Sequence, residues 1–265
     1  MNTNLTAAFK YARHFLKASN GKGHGTHSPY IFHFIRDVLN DKKEYPEYAV
    51  VENLRRGLLA DHSMITVQDL GAGSLAISNE KREISSVARH SAKPARLGQL
   101  LFRMVRTMNP RHVIELGTSL GITTSYLALG SKGSQVHTLE GAASLAEIAE
   151  KNFKKLGLSN IELYRGDFDD IFGPLASRIG PIDFLFIDGN HRLDPTISYF
   201  ESALPAIHND TVIIFDDIHW SVEMETAWQR IKENEKVTCS VDLFWMGLVF
   251  FRREFHEKQH FLIRF

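Results

Sequence analysis

The sequence predicts an α/β protein with a doubly wound, mostly parallel sheet and a mainly helical N-terminal extension. From His112 onward, short apolar runs alternate with amphipathic helical segments. The runs are almost continuously apolar, which is typical of strands covered on both faces of a sheet. Right-handed crossovers between such strands produce a doubly wound fold.

The N-terminal extension begins with an amphipathic helix that we expect to cover the domain behind it. Its apolar residues recur at spacings of four, three and four: Leu5, Phe9, Ala12 and Leu16. This spacing marks one face of a helix. The glycine-rich segment 21–29 ends the helix, and a second apolar pattern occupies residues 31–38. Because no Asp or Glu precedes Asp37, an organelle transit peptide is an alternative interpretation of this start.

Seven strands are predicted in the rest of the chain. They cover residues 112–117, 135–141, 161–167, 182–189, 211–218, 238–244 and 246–252. Helical segments lie between them, including 144–157, 196–207 and 222–234. The connection between the last two strands is so short that it permits only an antiparallel pair.

Composition and charge exclude several classes of protein. The 265 residues carry 31 Lys and Arg against 31 Asp and Glu, so the net charge gives no support to nucleic-acid binding through a bulk field. The single Cys239 excludes an internal disulfide and a thiolate zinc cluster. No apolar run reaches the roughly 18 residues of a membrane helix, and no secretory apolar region is present. We therefore expect a cytoplasmic protein without a membrane partner.

The most informative segment is the glycine turn at residues 113–124. An apolar strand ends at Gly117, and a helix begins two residues later. Gly117 and Gly121 allow the backbone to approach a ligand, and the helix N-terminus offers N–H groups to an anion. Glu140 ends the second strand, where a carboxylate can accept hydrogen bonds from both hydroxyls of a ribose. Asp167, after the third strand, can do the same for an adenine amino group.

This turn favours a nucleoside that carries a carboxylate over a dinucleotide. It reads G-x-x-x-G and lacks the middle glycine of G-x-G-x-x-G, which admits a pyrophosphate. S-adenosylmethionine meets this description, and a tight turn without a ligand is the structural alternative. A second glycine segment, Asp69–Ser74 with Gly71-Ala72-Gly73, precedes a polar stretch in which we predict no strand. We interpret it as a loop whose residues can still line the site.

These residues resemble the class I S-adenosylmethionine-dependent methyltransferases, and more narrowly the metal-dependent O-methyltransferases of the catechol and caffeoyl-CoA type. The resemblance runs from about Pro94 to Phe251, and the family's E-[IL]-G-T-x-x-G-[YF]-S turn covers residues 115–123 here. It implies a seven-stranded Rossmann-like sheet with the last strand antiparallel. It also implies a cap or substrate-recognition extension at 1–95 and a cofactor domain at 96–265. The implied cofactor contacts are Glu115, Gly117, Thr118, Ser119, Gly121, Thr123, Glu140, Gly141, Asp167, Phe168 and Asp188.

The resemblance further implies a metal site after the fourth and fifth strands. Asp188 matches the family's first ligand, and Asp216 and Asp217 match its Asp-Asn pair, with Asp217 in place of the commoner Asn. Such oxygen ligands suit Mg, Ca or Mn. His191 stands where the family carries a catalytic Lys, and an imidazole can remove a proton near neutral pH. We therefore expect Asp188 and His191 to be catalytic. Trp220 falls where plant-type members carry a tryptophan.

The function expected from these features is methylation of a hydroxyl on a small molecule. A hydroxyl with a pKa near 10 is a poor nucleophile at neutral pH, and a nearby divalent cation lowers that pKa. The alternatives are a metal-independent N- or C-methyltransferase, a cofactor-binding regulatory module and an NAD-dependent reductase. Asp216 and Asp217 could instead cap the helix that starts near Ser221. His24 and His27 have a spacing compatible with metal ligands, but no third ligand lies nearby.

The neutral total charge conceals two halves of opposite charge. Residues 1–110 carry 16 basic and 9 acidic side chains, whereas residues 111–265 carry 15 and 22. An acidic half suits a sulfonium and a metal cation, and a basic half suits an anionic acceptor. Nucleic acid is a minor alternative through the front half alone. The resemblance also implies a homodimer.

Overall fold

The computed structural model describes residues 3–18, 28–69 and 78–265. Within these residues ten strands occur: β1 Met64–Asp69, β2 Ser78–Glu83, β3 His112–Leu116, β4 Gln135–Glu140, β5 Ile161–Arg165, β6 Ile182–Ile187, β7 Ile207–Asp216, β8 Cys239–Asp242, β9 Met246–Phe250 and β10 Gln259–Leu262. The seven predicted strands correspond to β3–β9. Most of them are buried along their length, whereas β5 is partly exposed.

The same residues contain ten α-helices: α1 Thr3–Lys17, α2 Pro29–Phe34, α3 Pro46–Leu59, α4 Ile84–Ser91, α5 Ala95–Met108, α6 Ile122–Gly130, α7 Ala143–Lys155, α8 Phe168–Ile179, α9 Leu193–Ala203 and α10 Val222–Glu233. A π-helical segment, Ile35–Leu39, continues α2. None of the described helices combines the length and apolar character that crossing a membrane requires.

Eight strands form one mostly parallel sheet, in the order β10-β8-β9-β7-β6-β3-β4-β5. The predicted α/β class and doubly wound strand order are therefore confirmed. Strand β9 is antiparallel to both β7 and β8, as the short connection predicted. The sheet has one strand more than predicted, because β10 pairs in parallel with β8 at the edge. Side chains along β10 alternate between half-buried and exposed, so this edge strand lacks the buried apolar run of its neighbours in the sheet.

The chain divides into two compact units. Unit 1 comprises Met1–Asp41 and Gly180–Phe265, and unit 2 comprises Lys42–Ile179. Unit 2 contains β1–β5 with α3–α8, and unit 1 contains β6–β10 with the other helices. The functional division at residue 95 that the sequence suggests stays a prediction.

The polar stretch after the second glycine segment forms a strand, which corrects our expectation. Ser78–Glu83 pairs with Met64–Asp69 in an antiparallel two-stranded sheet, with Met64 opposite Glu83 and Asp69 opposite Ser78. The N-terminal extension is therefore not purely helical. Strand β2 reads SNEKRE, and a strand without apolar residues gives no periodic signal in a sequence.

Helix α1 forms as predicted, but its apolar face does not cover the domain. Phe9 is 73% exposed and Leu16 is 79% exposed. The helix contacts the rest of unit 1 through a different face, which carries the ring of Tyr11, 5.0 Å from that of Phe244, and two ion-pairing side chains. Lys10 Nζ lies 3.0 Å from Glu225 Oε1, and His14 Nε2 lies 3.1 Å from Asp242 Oδ1. A specific pairing with a buried carboxylate has thus overridden the orientation that amphipathicity predicts.

Candidate functional site

The glycine turn of unit 2 joins β3 to α6 through residues in the left-handed region. Gly117 has φ 107°, Ser119 has φ 49° and Gly121 has φ 78°. The backbone N–H groups of Gly117 and Thr118 both donate to the carbonyl of Leu139, at 3.0 and 3.1 Å. The turn is therefore tied to the neighbouring strand β4, where the predicted ribose-binding acid lies.

Glu140 is the polar centre of this turn. Its carboxylate accepts hydrogen bonds from the backbone N–H of Ser119 at 2.7 Å and of Ala142 at 2.9 Å. The residue is 8% exposed, and burial raises its pKa although backbone N–H donors, including that of Gly141, oppose this effect. An ionised carboxylate has about four lone-pair sites, so two backbone donors leave acceptor capacity for a diol.

Glu115 lies beneath the turn and contacts its hydroxyl groups. It is fully buried, and its Oε2 accepts hydrogen bonds from Thr124 at 2.5 Å and from Thr138 at 2.7 Å. Thr138 in turn lies 2.6 Å from the hydroxyl of Thr118. This arrangement points to a positioning role for Glu115, which holds the turn and the first turn of α6 together.

Gly121 has a packing reason as well as a conformational one. A Cβ atom at this position would lie 2.5 Å from Cε1 of Phe153 and 3.3 Å from Cβ of Ala149, both on α7. The close neighbour of Gly121 is thus a helix rather than a ligand surface. The role of Gly121 in binding a ligand stays a prediction, and packing against α7 is a second reason for a glycine here.

The remaining predicted cofactor contacts lie around this turn with different exposure. Thr123 is buried in the first turn of α6, and Gly141 follows Glu140 in a half-buried position. Asp167 is exposed, and its Oδ1 accepts a hydrogen bond from the backbone N–H of Asp169 at 3.0 Å. This contact begins α8, whose first residue is the half-buried Phe168. Asp167 therefore caps a helix besides any contact with adenine.

The predicted metal ligands of unit 1 partly converge. One ligand atom each from Asp188, His191 and Asp216 lies within 4.8 Å of the others. Asp216 is buried, and the side chains of Asp188 and His191 are 12% and 32% exposed. His191 Nε2 lies 3.5 Å from Asp188 Oδ1. Two carboxylates with one imidazole form a donor set that fits a divalent cation.

Asp217 belongs to the turn after β7 and lies outside this three-residue group. It has φ 52°, and its backbone N–H donates to the carbonyl of Trp245 at 2.8 Å. The sequence left open that Asp216 or Asp217 caps α10, but a different residue is the cap. Ser221 is the N-cap of α10, and its hydroxyl accepts a hydrogen bond from the N–H of Met224 at 3.1 Å. Trp220 is 74% exposed between them.

A buried carboxylate behind this turn is a feature that we did not predict. Asp242 Oδ2 lies 2.9 Å from His219 Nε2, and the indole N–H of Trp228 donates to the same oxygen at 3.3 Å. Burial opposes ionisation of Asp242, but hydrogen bonds from His14 and His219 hold its pKa well below the usual range. The pKa of His219 is raised, because the effects of Asp242 and Glu225 outweigh the lowering effect of burial. An acidic residue within the apolar run 238–244 was the sequence signal that could have identified this buried carboxylate.

Two sequence observations lie outside the described residues. They are the His24 and His27 pair and the Gly71-Ala72-Gly73 segment.

Comparisons with known proteins agree with the fold and with the glycine turn. Residues 114–218 match the family model described as "Methyltransferase domain". A catechol O-methyltransferase of Mycobacterium tuberculosis is 30% identical over 129 residues, which cover 48% of this chain and 57% of that protein. The chain therefore spans little more than half the length of the curated relatives that it matches.

Solved structures show the same fold at low sequence identity. A methyltransferase of Podospora anserina, bound to SAH, has a TM-score of 0.60 at 12% identity and covers 86% of this chain and 97% of its own. An O-methyltransferase of Bacillus cereus, in complex with SAH, has a TM-score of 0.54 at 22% identity and covers 83% and 97%.

The methyltransferase-domain match over residues 114–218 and the shared fold confirm the resemblance to the class of S-adenosylmethionine-dependent methyltransferases that the sequence predicted. Within that class, the similar proteins include O-methyltransferases, among them the catechol O-methyltransferase of M. tuberculosis. What these relatives bind and act on is a property of those proteins.

Proposed function

We propose that this protein is an S-adenosylmethionine-dependent O-methyltransferase that acts on a small molecule with the help of a divalent cation. The observation that carries the proposal is the buried Glu140 carboxylate, which the N–H groups of Ser119 and Ala142 hold at the glycine turn. A carboxylate is costly to bury, and a ligand diol would repay that cost with two hydrogen bonds.

Each predicted contact has a separate task in binding the methyl donor. Glu140 accepts hydrogen bonds from the ribose hydroxyls, and Asp167 accepts one from the adenine amino group. The hydroxyl of Thr123 and the N-terminus of α6 bind the methionyl carboxylate, which a helix N-terminus attracts. Glu115 keeps the turn in this conformation through Thr124 and Thr138.

The acceptor side of the reaction falls to the carboxylates and the imidazole of unit 1. Asp188 and Asp216, with Asp217 as a third carboxylate, would hold the cation, and His191 beside them is the predicted base for the proton of the acceptor hydroxyl. The donor supplies a sulfonium methyl group, and the cation supplies positive charge that lowers the pKa of the acceptor hydroxyl. Transfer forms a C–O bond as the C–S bond breaks, and the released electron pair stays on sulfur.

Isothermal titration with S-adenosylhomocysteine tests the cofactor assignment. We expect binding by the wild type and at least about a 100-fold loss in Glu140→Ala, since two charge-assisted hydrogen bonds disappear. Glu150→Ala is the matched control, because Glu150 also lies in unit 2 but pairs with Arg165 on the surface at 2.9 Å. The absence of binding by the wild type at millimolar ligand would refute the proposal, as would unchanged binding by Glu140→Ala.

Transfer of a labelled methyl group tests the reaction and the cation together. A panel of hydroxyl acceptors should be methylated, and a chelator or Asp216→Ala should abolish the transfer. Transfer to a nitrogen or carbon acceptor that ignores the chelator would favour a metal-independent methyltransferase instead. Asp216→Ala should retain S-adenosylhomocysteine binding, which separates loss of the cation from loss of the fold.

The basic N-terminal region supports an anionic acceptor as part of this proposal. Residues 1–110 carry seven more basic than acidic side chains, and Arg13 and Lys17 on α1 are exposed. Acceptors that bear a carboxylate or phosphate should therefore have lower KM values than their neutral analogues. The homodimer stays a prediction, which sedimentation equilibrium of the full chain tests.

A further inference from the structure

The turn after β6 directs an imidazole back toward the carboxylate that precedes it. Asn190 and His191 both adopt the left-handed region, with φ of 64° and 31°, and the N–H of His191 donates to the carbonyl of Gly189 at 2.9 Å. The amide of Asn190 donates to the hydroxyl of the buried Tyr199 at 2.5 Å. Residues other than glycine hold such conformations only where the surrounding structure imposes them. Here the anchor is α9.

The separation between His191 and Asp188 suits two ligands of one ion better than a direct hydrogen bond. Their nearest nitrogen and oxygen atoms are 3.5 Å apart, whereas an N–H···O bond normally spans 2.7–3.2 Å. Two ligand atoms at about 2.1 Å from one ion lie about 3.0 Å apart at a right angle and about 4.2 Å apart across it. The contact falls between these limits.

The three side chains differ in their exposure to solvent, and we assign their roles in the site accordingly. Asp216 is 1% exposed at the end of β7, so its carboxylate has little access to water. The imidazole of His191 is the most exposed of the three groups, at 32%. Asp216 and Asp188 would therefore form the fixed floor of the site, and His191 would close it from the solvent side.

We propose that His191 ligates the cation together with Asp188 and Asp216, instead of removing the acceptor proton, and that this imidazole makes the site prefer a first-row transition ion such as Mn²⁺ to Mg²⁺ and Ca²⁺. The inference deepens the proposed function and rests on its metal site. Carboxylate ligands suit Mg²⁺, Ca²⁺ and Mn²⁺ alike, and of these three ions only Mn²⁺ is a transition ion, the kind of ion that an imidazole ligand favours. The lysine that the resembling family carries at this position cannot coordinate while charged.

Titration of the full chain with Mn²⁺ alone, followed by the EPR signal of the free ion, tests this ligand without any acceptor. We expect His191→Ala to lose more Mn²⁺ affinity than the roughly 10–100-fold that removal of an outer-shell partner costs. His191→Gln replaces the nitrogen by an amide oxygen, so its Mn²⁺ affinity should fall while its Mg²⁺ affinity, measured by calorimetry, changes less than about threefold.

A matched control lies on β7, the strand that also carries Asp216. His208 also contacts an aspartate, with Nε2 2.9 Å from Asp183 Oδ1, and is likewise 32% exposed. His208→Ala should bind Mn²⁺ like the wild type. Equal Mn²⁺ affinity of His191→Ala and the wild type would overturn the proposal, as would a wild type that prefers Mg²⁺.

The outcome separates this inference from the proposed function. S-adenosylhomocysteine binding by each variant shows whether it is folded and whether the cofactor site works. Absence of that binding in the wild type would refute the proposed function and leave the Mn²⁺ result standing. Normal S-adenosylhomocysteine binding with unchanged Mn²⁺ affinity in His191→Ala would refute the ligand alone. A change confined to the pH dependence of turnover would then assign His191 to proton removal.

Discussion

The glycine turn of unit 2 and the surroundings of Asp242 in unit 1 hold their carboxylates by different means. Backbone N–H groups two residues or 21 residues away bind Glu140. In unit 1, Asp242 is bound by the side chains of His14 and His219, of which His14 is 228 residues distant in the chain. The first arrangement depends on backbone donors alone, whereas the second adds distant side chains to one backbone donor, the N–H of Phe244. The two regions should therefore fail in different ways when they are mutated.

The largest expected effect is the loss of the buried carboxylate of unit 1. Asp242→Asn should lower the free energy of unfolding by about 3–5 kcal/mol, since removing one member of a buried charged network leaves the others unpaired. Urea denaturation followed by circular dichroism measures this loss. A change below about 1 kcal/mol would show that the network is dispensable.

The pH dependence of stability should have opposite sign in the two regions. Folding lowers the pKa of Asp242, so the stability it contributes is present above its unfolded pKa and disappears as the pH falls through its folded pKa. Folding raises the pKa of Glu140, so its contribution is present at low pH and is lost as the pH rises through the folded pKa. Between pH 3 and 6, the free energy of unfolding should rise less steeply with pH in Asp242→Asn than in the wild type. Over the same range, Glu140→Gln should remove a decrease in the free energy of unfolding with pH.

Denaturation at several pH values distinguishes these contributions. Asp37 has a lowered pKa in a surface pair with Arg36, so Asp37→Asn controls for ordinary surface carboxylates. Parallel pH profiles of Asp242→Asn and the wild type would contradict the sign assigned to Asp242.

A smaller effect should follow from filling the glycine turn. Gly121→Ala meets both a left-handed backbone, which costs about 1–2 kcal/mol, and the ring of Phe153, where overpacking costs about 1–3 kcal/mol. Gly157→Ala is the matched control, because Gly157 has φ 67° with no atom within 4 Å of the added Cβ. Their difference in unfolding free energy isolates the packing against α7. Equal losses in the two variants would show that Phe153 moves aside freely.

The contrast between the two regions also explains what the sequence could predict. Strands β3–β9 were predictable because each is an apolar run, and Glu140 was predictable because it ends such a run after a glycine turn. The polar strand β2 and the edge strand β10 lack that pattern. The apolar face of α1 is exposed because His14 on another face pairs with Asp242. No local periodicity in the sequence encodes a contact between residues so far apart in the chain.

The group formed by Asp188, His191 and Asp216 was also only partly predictable from the sequence. The family resemblance implied Asp188 and Asp216 as metal ligands, and a carboxylate oxygen of each lies within 4.8 Å of the other. The place of His191 in their group depends on two left-handed residues and on Tyr199, nine residues beyond Asn190. Sequence spacing alone is compatible with an imidazole that points to solvent.

The smallest expected effects are those of changing the helix cap, Ser221, and Asp217 in the turn after β7. Ser221→Ala should lower the unfolding free energy by about 1 kcal/mol, because the hydroxyl that accepts from the N–H of Met224 is lost. Asp217→Asn should change it by less than about 0.5 kcal/mol, since Asn tolerates the left-handed conformation at φ 52°. Thermal and urea denaturation measure both variants. The reverse order would assign the cap to Asp217, and the carboxylate would then have a structural reason to be there without any cation.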